Sequence, residues 1–298
     1  MKTENSVLVT GANGFLGSWV CSEFLRLGWK VTALSRQPVE NLPFPLVVLP
    51  VWTESSLLSL ISELKPNAVV HTAAMSSTAE SERNEDLTRL ANTELPKILA
   101  AITGKLGIRL VHCSTDLVFD GLKGNYSETD PVNPQHCYGR TKVAAELAIP
   151  DLNPDYLIFR LSLLIGFSRD GNHGFLDGFV KSLATGKAQP AFTDEWRTAT
   201  PVSVAAKLIA DSVTHPIKSG LYHVASDEKL NRYEMACILA EKSGFSFDLI
   251  FPAKLESFTG KPVRQPDVSM NNQKLKSALG ISEIPGISSE ETVRKLLF

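Results

Sequence analysis

The sequence predicts an α/β fold in which a doubly wound parallel sheet is joined to a smaller C-terminal α/β lobe. Short apolar strands alternate with helical stretches through the first half of the chain, a rhythm typical of parallel strands joined by right-handed helical crossovers. The strands are nearly continuous apolar runs, as sheets covered by helices on both faces require. After about Leu164 this rhythm breaks, and the length of 298 residues leaves room for a second lobe.

Each element of the first half is indicated by its own pattern of residues. Gly28 ends the first helix, because glycine readily adopts the conformation that follows a helix C-terminus. Pro66 ends the second helix, because helices usually stop before a proline. The predicted strands are Ser6–Thr10, Lys30–Leu34, Leu46–Leu49, Ala68–Thr72, Arg109–Cys113 and Tyr156–Leu161. The predicted helices are Leu16–Leu27, Leu57–Leu64, Thr88–Thr103 and Gly139–Ile149.

The second half of the chain opens with a polar, glycine-rich stretch, Gly166–Gly174, which we predict to be a loop. We divide the chain into a Rossmann-sized first domain, residues 1–165, and a substrate lobe, residues 166–298. Residues 221–226 are expected to rejoin the first sheet. The elements predicted after the loop are helices at Phe175–Ala184 and Tyr233–Ser243 and strands at Leu221–Ala225 and Ser246–Pro252.

The composition argues against several kinds of partner. Thirty Lys and Arg residues against 32 Asp and Glu give a net charge of −2, so we expect neither nucleic acid nor a membrane as a partner. No apolar run approaches the roughly 18–20 residues of a membrane span, and no signal peptide is visible, so a cytoplasmic location is expected. The four cysteines are scattered, which favours reduced thiols. No metal site is predicted, because no ligand cluster has a recognisable spacing.

A glycine-rich turn, TGANGFLG over residues 10–17, follows the first strand and opens the first helix. Its three glycines have the spacing of a dinucleotide-binding turn, and the strand-turn-helix context favours that function over an ordinary glycine-rich turn. One glycine permits the tight turn, one lets the backbone approach a pyrophosphate, and one lets helix and strand pack closely. The sequence therefore predicts a Rossmann-type domain. The residues predicted to bind its cofactor here are Gly11, Asn13, Gly14, Phe15, Leu16 and Gly17.

The end of the second strand indicates which dinucleotide is bound. An NAD site usually places Asp or Glu there to accept from the ribose 2′-hydroxyl. This chain has Ser35 and Arg36 instead, and a guanidinium with a hydroxyl suits the 2′-phosphate of NADP. The alternative for Arg36 is an ordinary solvated charge. We predict NADP as the cofactor.

A candidate catalytic group follows in the same half of the chain. Tyr138 and Lys142 are four residues apart at the start of a predicted helix and so share one face. A nearby ammonium is expected to lower the pKa of the phenol, which could then donate a proton to a carbonyl oxygen. Ser114 and Thr115 follow the fifth strand, at the sheet edge where such folds bind ligands. Their hydroxyls could polarise a substrate oxygen; the alternative is a capping or turn pair.

With these motifs the chain resembles the dTDP-4-dehydrorhamnose reductase family of the extended short-chain dehydrogenases/reductases. The resemblance runs through STDLVFDG (114–121), YSETDPVNPQHCYGRTK (126–142) and RQPDVSMNNQKLKSALG (264–280), besides the glycine turn. It implies Thr115, Tyr138 and Lys142 as the catalytic triad, NADPH as hydride donor, and a nucleotide-linked 4-keto-6-deoxy sugar as substrate. By the same resemblance, Ala73 and Ala74 border the cofactor. The residues predicted to contact the substrate are Ser114, Arg160, Trp196 and Arg197.

The chain departs from that family's pattern at several positions. Leu49-Pro50-Val51 stands where relatives carry an Asp near adenine, and Leu117 stands where an aromatic residue is usual. Trp196 and Arg197 replace small residues in DEWRTATPVS (194–203), which suggests an altered substrate pocket.

Two other functions remain open at this stage. The chain is also similar to the methionine adenosyltransferase beta subunit, notably around YEMAC (233–237), so an NADP-binding regulatory subunit without turnover is the alternative. Epimerisation or dehydration with a tightly held cofactor is a third option, which the reductase-like C-terminal half disfavours. Whether the chain forms a homo-oligomer is left open.

Overall fold

The computed structural model describes residues 5–39, 42–168, 175–260 and 263–289. The strands found there are β1 (Ser6–Thr10), β2 (Lys30–Ser35), β3 (Leu46–Val48), β4 (Ala68–His71), β5 (Arg109–Thr115), β6 (Tyr156–Leu161), β7 (Leu164–Ile165), β8 (Gln189–Phe192), β9 (Trp196–Arg197), β10 (Thr200–Pro201), β11 (Gly220–Val224), β12 (Leu230–Asn231) and β13 (Ile250–Ala253). The helices are α1 (Phe15–Arg26), α2 (Glu54–Leu64), α3 (Thr78–Arg83), α4 (Glu85–Arg89), α5 (Leu95–Leu106), α6 (Cys137–Leu152), α7 (Phe175–Ala184), α8 (Val202–Thr214), α9 (Arg232–Lys242) and α10 (Gln273–Leu279).

A seven-stranded sheet organises the first half of the molecule. Its strands lie in the order β3-β2-β1-β4-β5-β6-β11, and every neighbouring pair is parallel. The chain reverses its direction across the sheet at β1, so the ends of β1 and β4 flank the point where such sheets bind nucleotides. The predicted α/β fold with a doubly wound parallel sheet is confirmed, and β11 joins the sheet as expected.

Helices bury both faces of this sheet. On one face, side chains of α1 and α8 pack on the sheet around the fully buried Phe24 and Phe159. On the other face, α2, α5 and α6 pack around Leu57, Leu99 and Ile149. Both faces of the strands are therefore apolar, which explains their continuous hydrophobic runs. Helix α8 packs in this core, so the first domain includes more of the C-terminal half than residues 221–226 alone.

The remaining elements form a smaller lobe with its own apolar cluster. Leu176, Phe179 and Leu183 of α7 pack there with Met235 and Leu239 of α9. Three two-stranded pairs hold the lobe together: β7 with β10, β8 with β13, and β9 with β12. This lobe continues from the carboxyl end of β6, and so it stands at the ligand-binding edge of the sheet.

Some predicted elements differ from those observed, each for a local reason. The second helix begins at Glu54, three residues before its predicted start, because Thr53 and the side chain of Ser56 form a capping box. The predicted helix Thr88–Thr103 is interrupted by a π-helical turn at Leu90–Glu94.

The predicted strand Ser246–Pro252 is wrong in its first half. Its start forms a 3-10 turn, Phe247–Leu249, because the Ser246 hydroxyl accepts from the Asp248 N–H. Most of the predicted loop Gly166–Gly174 lies outside the described residues. Within the described ranges, every helix is too short or too polar to span a lipid bilayer.

Candidate active site

The glycine turn between β1 and α1 packs directly against the segment that follows β4. Gly11 has a φ of +69°, and a Cβ there would lie 2.6 Å from the backbone nitrogen of Ala73. A Cβ on Gly17 would lie 2.1 Å from the carbonyl oxygen of Gly11. Helix α1 starts at Phe15 without a side-chain cap, which leaves its first N–H groups open to an anion. The turn therefore has the shape and the donors of a pyrophosphate cradle.

The other residues predicted to bind the cofactor are arranged around this cradle. Asn13 and Ala74 are exposed, whereas Leu16 is buried in the core beneath the turn. Ser35 ends β2 and is buried, and its hydroxyl accepts from the Gln37 N–H at 3.3 Å.

Arg36 follows Ser35 and is exposed. Its guanidinium has no hydrogen bond or ion pair with any residue that the structure describes. The group is thus available at the sheet edge where an adenosine ribose would lie in this fold.

The predicted catalytic residues meet where the carboxyl end of β5 lies against the first turn of α6. Thr115 is the last residue of β5, and Tyr138 lies in the first turn of α6; both are largely buried. Burial raises the pKa of Tyr138, and the Thr115 hydroxyl acts in the opposite direction. Lys142 follows one turn later, and its Nζ donates to the carbonyl oxygen of Cys113 at 2.7 Å. The structure brings all three together.

The expected lowering of the Tyr138 pKa is wrong for the protein without cofactor. Burial raises the pKa of the phenol above its ordinary value, and nearby Asp116 adds to that effect. Lys142 does not offset this, because its ammonium is directed at the Cys113 carbonyl. Burial lowers the pKa of Lys142 to about 8, although Cys113 and Glu146 act in the opposite direction. The phenol is therefore a protonated acid at neutral pH.

Asp116 is a member of the site that the motif analysis left out. Its Oδ1 accepts from the Thr115 hydroxyl at 3.1 Å. Burial raises the pKa of Asp116 to about 6, while Arg197 acts to lower it. The available signal was its position directly after Thr115, because a polar residue at a strand's carboxyl end is well placed for a ligand site.

Ser114 and Arg160, predicted to contact substrate, have other partners in the structure. Both are nearly inaccessible and bond to Glu146 of α6. The Ser114 hydroxyl donates to one carboxylate oxygen, while Arg160 donates from Nε at 3.1 Å and from Nη2 at 2.7 Å. The reason is register: Ser114 and Arg160 are paired across β5 and β6 and face α6. They lie beneath the site rather than in an open pocket.

Trp196 and Arg197 stand on β9, where the small lobe approaches the site. Trp196 is half-buried, and the Lys229 ammonium lies 5.5 Å from its ring centroid. Arg197 is buried and donates from Nη1 to the carbonyl oxygens of Trp196 and Gln265. Its charge acts to lower the pKa of Asp116, so the DEWRTATPVS segment lies close enough to influence that carboxyl.

Several guanidinium groups surround the carboxylate of Glu195, the residue before this strand. Arg197 lies 3.1 Å from its carboxylate, Arg264 lies at 2.6 Å, and Arg232 lies at 3.7 Å. Although burial opposes it, the guanidinium groups of Arg264, Arg197 and Arg232 hold the pKa of Glu195 below its ordinary value. These arginines are far apart in sequence, and only the fold brings them to one carboxylate.

Comparison with known proteins agrees with this geometry. The model of the RmlD substrate binding domain family matches residues 5–286. The probable low-salt glycan biosynthesis reductase Agl14 of Haloferax volcanii is 30% identical over 278 residues, which cover 92% of both chains. Methionine adenosyltransferase 2 subunit beta of Rattus norvegicus is 28% identical over 294 residues, covering 93% of this chain and 83% of that protein.

Among solved structures, the dTDP-4-dehydrorhamnose reductase of Bacillus anthracis in complex with NADP superposes with a TM-score of 0.87. It is 22% identical, and the match covers 99% of both chains. The resemblance seen in the motifs is confirmed over nearly the whole length. The chain belongs to the RmlD substrate binding domain family and has the fold of the extended short-chain dehydrogenases/reductases.

Proposed function

We propose that this chain is an NADP-dependent reductase that acts on a keto group of a nucleotide-activated 6-deoxy sugar. The observation that carries the proposal is the meeting of Thr115, Tyr138 and Lys142 at the sheet edge, next to the glycine cradle. A hydroxyl, a phenol and an ammonium so arranged suit the reduction of a bound carbonyl group. The names of two relatives, a reductase and a dTDP-4-dehydrorhamnose reductase with NADP, support the same activity.

The nucleotide-binding residues fit NADP. A side chain at Gly11 or Gly17 would collide with backbone atoms, so the turn is built for close approach of a ligand. Uncapped N–H groups of α1 suit the pyrophosphate. Arg36, exposed at the end of β2, suits a 2′-phosphate that it can bind through two N–H groups. Ala73 and Ala74 complete the wall opposite the turn.

When bound, NADPH supplies the hydride for the carbonyl carbon. The residues of the chain act on the carbonyl oxygen of the substrate. Tyr138 donates its proton to that oxygen, and its raised pKa keeps the phenol protonated until then. Thr115, whose hydroxyl donates to Asp116 in the free chain, turns its proton to the same oxygen and so stabilises the charge that develops there. Lys142, which bonds to the Cys113 carbonyl in the free chain, supplies in the cofactor-bound chain the positive charge that favours the phenolate left on Tyr138. The product is the corresponding alcohol.

The small lobe supports an anionic substrate. Three guanidinium groups, those of Arg197, Arg232 and Arg264, surround the single carboxylate of Glu195. Positive charge gathered in this way suits the diphosphate of a nucleotide sugar. Trp196, half-buried on β9, offers an apolar surface beside Arg197.

A second candidate is a regulatory subunit that binds NADP without turnover. It is favoured by the similarity to methionine adenosyltransferase 2 subunit beta over 93% of this chain. An intact set of site residues is compatible with both functions.

The test is consumption of NADPH by the purified chain with a panel of nucleotide-linked 4-keto-6-deoxy sugars. The proposal predicts steady turnover with at least one of them and the matching alcohol as product. Tight NADPH binding without turnover of any sugar, together with co-purification of a synthetase, would instead support the regulatory function.

A further inference from the structure

Glu146 lies one helical turn after Lys142, and both side chains are buried between α6 and the sheet. Lys142 is 2% exposed and Glu146 is 6% exposed. Residues four apart on a helix are neighbours, about 5–6 Å between their Cβ atoms. Lys142 Nζ and the Glu146 carboxylate bond to consecutive residues of β5, the Cys113 carbonyl and the Ser114 hydroxyl. The two charges therefore lie near each other between α6 and the sheet, away from water that would screen them.

Three donated hydrogen bonds fix the Glu146 carboxylate in this place. The Ser114 hydroxyl donates to it from β5, and Arg160 donates from Nε and Nη2 in β6. The Arg160 guanidinium also lies 5.1 Å from the centroid of the Phe119 ring. Both partners come from the sheet, so the carboxylate cannot follow small movements of α6 freely.

The other groups around Lys142 do not replace this negative charge. His71 and His112 face it from β4 and β5, and burial lowers the pKa of both rings, which are neutral at pH 7. The Cys113 carbonyl accepts a hydrogen bond from Lys142 Nζ. Burial raises the pKa of the Cys113 thiol to about 12. The ionisable groups that act on the pKa of Lys142 are Cys113 and Glu146, and Lys142 in turn acts to lower the pKa of His71 and of His112.

We propose that Glu146, held by Ser114 and Arg160, is a positioning residue that keeps the Lys142 ammonium charged in its buried place. Lys142 needs its charge to favour the phenolate of Tyr138, so the catalytic meaning of this inference rests on the proposed function. The role of Glu146 as a counter-ion does not, because it concerns only the protein. Burial acts to discharge Lys142, and Glu146 acts against burial.

The experiment follows the Nζ atom of Lys142 by NMR in protein labelled with nitrogen-15 lysine, with the resonance assigned from Lys142→Met. In the wild type we expect titration near pH 8. In Glu146→Gln we expect a midpoint at least about 1 pH unit lower, because an opposite charge at this range shifts a pKa by about 1–3 units. Asp151→Asn removes an exposed carboxylate from the same helix, and its midpoint should match the wild type.

An unchanged midpoint in Glu146→Gln would overturn the inference, as would an equal shift in Asp151→Asn. If the single variant fails to fold because Arg160 is left unpaired, Glu146→Gln/Arg160→Gln removes both buried charges. The double variant is compared with Arg160→Gln, so that the two proteins differ only in the charge at position 146. The Lys142 midpoint should be lower in the double variant, and equal midpoints would refute the proposal.

The outcome is separable from the proposed function, because the titration needs neither NADPH nor a sugar. If turnover is found, its rate should fall above a certain pH. In Glu146→Gln that pH should be lower than in the wild type by the same amount as the Lys142 midpoint. If the chain turns over no substrate but shows the NMR shift, the counter-ion role of Glu146 stands and the proposed reductase function is refuted.

Discussion

At the scale of single residues, we expect Arg36 and Ser35 to contribute unequally to the recognition of an NADP ribose. Ser35 is buried and already accepts from the Gln37 N–H, whereas Arg36 is exposed and has no partner in the described part of the chain. A buried, engaged hydroxyl has little freedom to reorient, while an exposed guanidinium can close on a phosphate. Most of the preference for NADP should therefore come from Arg36.

We predict that Arg36→Ala weakens NADPH binding by about 10–100-fold, since a hydrogen bond to a charged group contributes about 1.5–3 kcal/mol. NADH binding should stay as in the wild type, because the variant removes only a contact to the 2′-phosphate. Fluorescence titration with both dinucleotides measures this. Lys30→Ala, at the opposite end of β2 and also exposed, is the matched control. Equal loss for NADPH and NADH, or none for either, would contradict the role of Arg36.

The same scale separates what the sequence could reveal from what it could not. Gly11 and Gly17, or Tyr138 and Lys142, are close in sequence, so their spacing together with the strand and helix pattern around them predicts that they act together. Glu146 and Arg160 are joined only by strand register between β5 and β6. The resemblance alone places Arg160 near the substrate, and its bond to Glu146 could not be predicted, because no local pattern links the two residues.

At the scale of elements, the turn between β1 and α1 depends on atoms that a side chain would displace. Gly17 packs against the Gly11 carbonyl, and Gly11 against the backbone after β4. The strand-turn-helix pattern predicts this element well, because each of its glycines meets a steric requirement of the turn. Helix α8 escaped prediction, although Val202, Ala205, Ala206 and Ile209 repeat at helical spacing.

Gly17→Ala should disrupt the cradle, because its Cβ would lie 2.1 Å from the Gly11 oxygen. We expect loss of measurable NADPH binding and a destabilisation of about 1–3 kcal/mol from overpacking. Calorimetry and urea unfolding measure the two effects.

The control for this prediction is Gly178→Ala. Gly178 lies in α7 with no atom within 4 Å of an added Cβ, so the variant should be more stable by up to about 1 kcal/mol. A Gly17→Ala protein that binds NADPH normally would show that the turn tolerates a side chain and is no cradle.

At the scale of the whole molecule, three histidines are buried in the large sheet, one on each of β4, β5 and β11. Burial lowers the pKa of His71 and of His223 to about 3 and lowers that of His112 well below its ordinary value. The folded chain thus resists protonating them, whereas the unfolded chain takes up protons below about pH 6.5. Their contribution to stability is complete above pH 6.5 and is lost as the pH falls towards 3.

We predict that the free energy of unfolding falls between about pH 6 and pH 4, each histidine adding about 1.4 kcal/mol per pH unit to the slope. His223→Gln should reduce that slope by one histidine's share, and His215→Gln should not, because His215 is exposed in the folded chain. Urea unfolding at several pH values provides the slopes. Identical slopes in both variants would show that the buried rings do not govern acid stability.

The central claim is that the site formed by Thr115, Tyr138 and Lys142 reduces a bound keto group, and deuterium transfer tests it most directly. With NADPH deuterated at the nicotinamide C4 and a keto sugar that is turned over, mass spectrometry should find one deuterium in the alcohol product. Tyr138→Phe should slow the transfer by about 10²–10⁴-fold, while Tyr156→Phe, at the other end of the sheet, should not. Product without deuterium, or an undiminished rate in Tyr138→Phe, would contradict the account.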